Sequence, residues 1–170
     1  NCRVALLGLP DDLGVRLNSG RPGAHEGPTA FRSALARFGV HKPPGIEYPH
    51  VFDAGDVLPA KGNDANALHE THRRVSDAAA AIVRLGLFPI AVGGGHDLTF
   101  AFVRGVAEAL GRVRKSDQPS IEPMRGLYLD AHLDVRDTPG SGMPMRSLID
   151  HLGIDRLHIT GFAPLVNDRA

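Results

Sequence analysis

The sequence has a single cysteine, Cys2, in 170 residues, which excludes an internal disulfide framework and a cysteine-based structural zinc site. It has no excess of either charge: 19 Lys and Arg stand against 19 Asp and Glu. A balanced chain lacks the electrostatic footprint of a nucleic-acid binder or a polybasic membrane protein, so neither nucleic acid nor a membrane is an expected partner. No apolar run comes near the ~20 residues that span a bilayer. The N-terminus lacks the basic-then-apolar layout of a signal peptide, and the cytoplasm is the expected compartment. The chain begins at Asn1 rather than methionine, so the natural N-terminus is expected upstream. What the chain has in quantity is 20 glycines and 13 prolines, the punctuation of many tight turns. Length and composition suit one soluble globular domain spanning residues 1–170.

The elements alternate. Arg3–Gly8 is a short apolar run stopped by glycine and Pro10, the pattern of a buried parallel strand. The polar, glycine-rich stretch from Asp11 to Gly27 reads as a long loop. Pro28 suits the first position of a helix whose face carries Phe31, Ala34, Leu35 and Phe38, closed by Gly39. A strand is predicted near Tyr48–Phe52, then a helix over Asp64–Leu85 with the stripe Leu68, Val75, Ala79 and Ile82. Phe88–Val92 reads as a buried strand and Gly93–Gly95 as a turn. Asp97 is the expected N-cap of a helix running to Gly111. Residues Arg112–Pro123 are polar. Gly126–Leu129 and Leu157–Thr160 read as strands flanking a short helix over Met143–Leu152. This rhythm predicts a parallel α/β sheet with helices on both faces.

In such sheets ligands bind beyond the carboxyl ends of the strands. Two polar clusters fall there: Gly93-Gly-Gly-His96-Asp97 after one strand, and Asp130-Ala-His132-Leu-Asp134-Val-Arg136 after another. If the backbone stays extended, alternation puts Asp130, His132 and Asp134 on one side, and His96 completes a set of two imidazoles and two carboxylates. Carboxylate and imidazole donors without thiolate favour Mn, Zn or Fe. Three polar residues at period two are hard to explain as packing, because each would need a partner when buried. The triple glycine lacks the lysine of a nucleotide-binding loop and reads as room for backbone passing close to the site. His69 and His72, at i and i+3, read as a solvated helix face. His25, His41, His50, His151 and His158 carry no motif.

Gly93-Gly-Gly-His-Asp97 and Asp130-Ala-His-Leu-Asp134 resemble the first two signatures of the ureohydrolase family, the arginases, agmatinases and formiminoglutamases. Gly20-Arg-Pro-Gly-Ala-His-Glu-Gly-Pro28 resembles that family's glycine-rich entrance loop, and Asp53-Ala-Gly-Asp-Val57 another of its segments. The resemblance runs along essentially the whole chain in the family's order. It implies an arginase-like three-layer α/β/α sandwich around a parallel sheet, with a binuclear manganese centre that hydrolyses C–N bonds of guanidino or formimino groups. His96, Asp130 and Asp134 would bind one Mn2+; His132 would bind the other, with Asp130 bridging.

The family's third signature, a later Asp-x-Asp, has no counterpart among Asp150, Asp155 and Asp168. The C-terminal part of the domain, with the proton-relaying aspartate, is therefore expected beyond Ala170. The identity of the catalytic residue stays open. Alone, these residues are expected to be inactive and to self-associate.

Two positions resemble formiminoglutamases within the family. Arg136 stands where arginases carry asparagine, and Ser141-Gly-Met-Pro144 stands where arginases and agmatinases place a proton-shuttling histidine. An arginine repels a cationic guanidinium and attracts a carboxylate. Arg136 and Ser141 are thus the expected substrate-binding residues, for a small anionic amidine. The implied reaction takes N-formimino-L-glutamate to L-glutamate and formamide, in histidine degradation, in a homo-oligomer. An agmatinase-like or guanidino-acid hydrolase is the alternative substrate class. A silent metal-binding or subunit-interaction module is the alternative outside enzymes.

Overall fold

The structure, a computed structural model, describes residues 2–38, 44–45, 47–113, 124–154 and 156–163. In chain order it contains β1 (Val4–Gly8), α1 (Leu13–Leu17), a 3-10 turn (Ala24–Glu26), α2 (Gly27–Leu35), β2 (Val51–Asp56), α3 (Ala65–Arg84), β3 (Phe88–Val92), α4 (Leu98–Ala109), β4 (Arg125–Leu129), α5 (Pro144–Leu152) and β5 (Arg156–Thr160). Every strand pairing is parallel. The strands form two sheets rather than one: β2-β1-β3 and β4-β5. β3 and β4 do not pair with each other, although their carboxyl ends meet at one site. No helix among the described residues is long and apolar enough to cross a membrane.

The core follows the apolar pattern. β1 is buried on both faces, with Ala5, Leu7 and Leu9 packed against Val75 and Ile82 of α3 and Leu98 and Ala101 of α4. The predicted stripe of α3 lies inside, and Asp64 caps the helix by accepting from the Ala67 N–H. A second cluster joins Phe100 of α4 to Met145, Leu148 and Leu152 of α5, with Tyr128 and Leu157 packed on it.

Several expectations are corrected. The Asp11–Gly27 stretch contains α1 and the 3-10 turn, because backbone bonds such as Arg16 N–H to Asp12 C=O close local turns. The strand expected at Tyr48–Phe52 runs Val51–Asp56, where register with β1 sets its limits. α2 ends at Leu35, and its apolar face is bare: Phe31, Leu35 and Phe38 are exposed. Gly39 lies outside the described residues, as does most of Arg112–Pro123. β3 is only half buried, with Phe88 and Ile90 exposed; Leu127 and Leu129 of β4 are exposed as well.

Candidate metal centre

β3 ends at Val92, and the chain turns through three glycines to His96. Gly94 is where that turn needs a bare backbone. A Cβ there would stand 2.1 Å from the Asp11 carbonyl oxygen and 2.9 Å from that of Leu9. The Gly95 N–H donates to the same Asp11 carbonyl at 2.7 Å, so the loop after β1 buttresses the turn. Gly94 thus makes room for that loop rather than for the metal site.

β4 brings the second cluster to the same edge, but the backbone does not stay extended. Asp134 has φ +49°, in the left-handed region that Asp tolerates better than most side chains. Its carbonyl accepts from the Met145 N–H at the start of α5. This turn, rather than strand alternation, aims Asp134 inward. One donor atom each from His96, Asp130 and Asp134 lies within 4.8 Å of the others. His96 Nε2 is 3.2 Å from Asp134 Oδ2 and 4.0 Å from Asp130 Oδ2.

His132 stands outside that trio. Its side chain is exposed, and its ring Nδ1 lies 3.1 Å from Asp130 Oδ1 while its N–H donates to the same oxygen at 2.8 Å. Asp130 therefore turns one oxygen to the trio and the other to His132.

Burial alone would raise the Asp130 carboxyl. Hydrogen bonds from the His132 N–H, Tyr128 and the His132 ring outweigh it and hold the group below its ordinary range. Asp134 is likewise lowered, with burial opposed by bonds to His96 and Tyr128. Both stay anionic at neutral pH, as metal ligands must.

Tyr128 was not singled out from the sequence. It sits two residues before Asp130 on β4, hence on the same face, so strand periodicity carried the signal. Its hydroxyl shares its proton between Asp134 Oδ2 at 2.6 Å and Asp130 Oδ2 at 3.0 Å, and also contacts His96 Nε2. The two rings lie parallel, 2° apart in plane. Burial first, then Asp134 and Asp130, push the phenol's pKa up.

Arg136 and Ser141 come together through a third residue, Asn18 at the C-cap of α1. Asn18 Oδ1 accepts from Arg136 Nη1 at 2.8 Å, and Asn18 Nδ2 donates to Ser141 Oγ at 3.3 Å. The Ser141 N–H reaches the Gly14 carbonyl, which closes the 136–143 loop onto α1. No periodicity marks Asn18, because this bridge crosses more than a hundred residues of chain. Arg136 also lines a cavity of about 260 Å³ with Arg104, Arg146 and His69; none of the metal trio lines it.

His72 and Asp97 depart from expectation. His72 is buried, and its Nε2 lies 2.7 Å from Asp97 Oδ2. It belongs to the buried stripe Leu68, His72, Val75, Ala79, whereas His69, one position off, is exposed. Asp97 holds the N-cap position of α4, but its side chain makes no capping hydrogen bond and turns into the core. Asp97 Oδ1 and Asp11 Oδ2 are buried without a hydrogen-bond partner among the described residues. Burial, and then Asp97, raise the pKa of Asp11.

A parallel α/β chain with imidazole and carboxylate donors at the ends of two strands defines a metal-site fold of the ureohydrolase kind. The Arginase family model matches residues 2–164, and the chain belongs to that family. Among curated relatives, the formimidoylglutamase of Geobacillus kaustophilus (strain HTA426) is 36% identical over 165 residues, 91% of this chain and 46% of that protein. The formimidoylglutamase of Aromatoleum aromaticum is 36% identical over 177 residues, 98% of this chain and 49% of that one. The chain thus spans about half the length of the curated relatives it matches. The crystal structure of Trypanosoma cruzi formiminoglutamase with Mn2+2 superposes with a TM-score of 0.79 at 26% identity, over 98% of this chain and 55% of that one. The fold is therefore arginase-like.

Proposed function

We propose that the protein containing this chain hydrolyses the C–N bond of a linear amidine, N-formimino-L-glutamate, giving L-glutamate and formamide. We place this step in cytoplasmic histidine degradation, on a two-manganese centre. The observation that carries the reading is the convergence of His96, Asp130 and Asp134 at two strand ends, in a chain whose relatives are formimidoylglutamases.

The residues present fit manganese. One imidazole and two carboxylates, all without thiolate, are donors suited to such an ion. Asp130 adds the feature a pair of ions requires, with Oδ2 toward His96 and Oδ1 toward His132. His96, Asp130 and Asp134 would hold one ion; His132 would hold the second with Asp130 shared. Bound manganese supplies Lewis-acid activation of the attacking water. The family's later Asp-x-Asp is assigned to the part of its relatives that this chain does not span.

Arg136 is the residue we assign to the substrate carboxylate. A guanidinium fork matches a carboxylate with two parallel hydrogen bonds and repels a guanidinium substrate, which separates formiminoglutamate from agmatine and arginine. Asn18 ties the fork to Ser141, so the C-terminal end of α1 and the 136–143 loop orient it together.

The test is turnover by the full-length Mn2+ protein of formiminoglutamate, agmatine and arginine, side by side. Formiminoglutamate is expected to be strongly preferred. Arg136→Asn should lower kcat/KM for it by roughly ten- to over a hundredfold, the size of one lost bidentate contact, with manganese content unchanged. Preference for agmatine, or unchanged kinetics in the variant, would remove the substrate assignment.

A further inference from the structure

The Tyr128 hydroxyl occupies a position that no ligand set accounts for. Its contacts are His96 Nε2, Asp130 Oδ2 and Asp134 Oδ2, the very atoms whose lone pairs the metal reading needs. A lone pair engaged by an O–H proton is withdrawn from a cation, and a phenol oxygen seated among three donors fills the space they enclose. The hydroxyl is also held firmly. The Tyr128 ring packs on the second core cluster against α5 and lies parallel to the His96 ring, so it reaches the site from a fixed direction.

We propose that Tyr128 competes with the divalent ion for His96, Asp130 and Asp134, and so sets the affinity threshold of this metal site. This inference rests on the metal reading above. The side chain keeps the two carboxylates and the imidazole close together by offering them a shared partner. An ion then binds only as the hydroxyl gives up those contacts, and its apparent affinity falls by the fraction of time the donors are engaged. A tyrosine that merely supported the site would do the reverse, since losing a support weakens binding.

The experiment measures Mn2+ affinity of the full-length protein by calorimetry, for the parent and for Tyr128→Phe, Tyr128→Leu and His96→Ala. Tyr128→Phe keeps the ring and removes only the hydroxyl. It is expected to bind Mn2+ about tenfold more tightly, the equilibrium equivalent of one charge-assisted hydrogen bond. His96→Ala is expected to lose the same binding event. A second readout needs no activity. Adding Zn2+ to the parent should perturb the near-ultraviolet tyrosine absorption, and the Tyr128→Phe protein should lack that component. Tyr128→Leu, which also lacks the hydroxyl, serves if the phenylalanine variant folds poorly.

Parent binding that both tyrosine variants leave unchanged or weaken overturns the competition while leaving the metal reading intact. A parent that binds no Mn2+, or binds it equally well after His96→Ala, overturns the metal reading and this inference with it.

Discussion

Gly93 and Gly94 are adjacent, chemically identical and expected to respond in opposite ways to alanine. At Gly94 the new Cβ would stand 2.1 Å from the Asp11 carbonyl oxygen, 2.9 Å from its carbon and 2.9 Å from the Leu9 carbonyl oxygen. All three are backbone atoms, so no side chain can rotate out of the way. The loop after β1 and the turn carrying His96 must separate, which strains the 2.7 Å bond from the Gly95 N–H to Asp11. Overpacking of this kind costs about 1–3 kcal/mol, and a weakened backbone bond adds about 1 kcal/mol. A total loss of about 2–4 kcal/mol is therefore expected for Gly94→Ala. At Gly93 a Cβ meets nothing within 4 Å and the backbone is not left-handed, so Gly93→Ala should stay within about 0.5 kcal/mol of the parent. Urea denaturation of the two full-length variants gives the difference directly, and Mn2+ affinity should fall only for Gly94→Ala, because His96 moves with its turn. Two variants within about 0.5 kcal/mol of each other would refute the close approach of the two loops.

Two further outcomes follow from buried and loop-anchoring pairs. His72→Ala strips Asp97 of its described hydrogen-bond partner while the carboxylate stays in the core, at a cost of about 3–5 kcal/mol by denaturation. His72→Gln, which still offers a donor, should recover part of it, and an alanine variant of near-parental stability would show that the pair does not hold α3 to the α4 entrance. His25 is raised above its ordinary value of 6.5 by its hydrogen bond to Asp12, the carboxylate that also accepts from the Gly23 N–H. Because the folded value exceeds the unfolded one, this anchor is complete below about pH 6.5 and is lost as pH rises through the folded value. The Gly23 amide should accordingly exchange faster at about pH 8.5 than at pH 6, after correction for intrinsic exchange, and equal protection would rule the anchor out.

The order of elements and most of the candidate site were legible in the sequence, because both depend on local pattern. A stripe such as Leu68, Val75, Ala79 reports which helix face is buried whatever it packs against, and an apolar run ending in glycine reports a strand before its neighbours are known. The ligand-type residues were legible for the same reason, since a run of acids and imidazoles after a strand has no packing explanation. Chain-distant approach was not. The left-handed turn that aims Asp134, the asparagine that joins Arg136 to Ser141, and the His72–Asp97 pair each depend on segments that meet only when the chain is folded. His72 shows the boundary well. Read from the sequence as solvated beside His69, it lies on the buried stripe, where an imidazole needs a partner, and only the packing of α3 on α4 supplied Asp97. Tyr128 shows the other side of it. Strand period put its side chain beside that of Asp130, while the contact of its hydroxyl with all three donor atoms required β3 and β4, which do not pair, to bring their ends to one point.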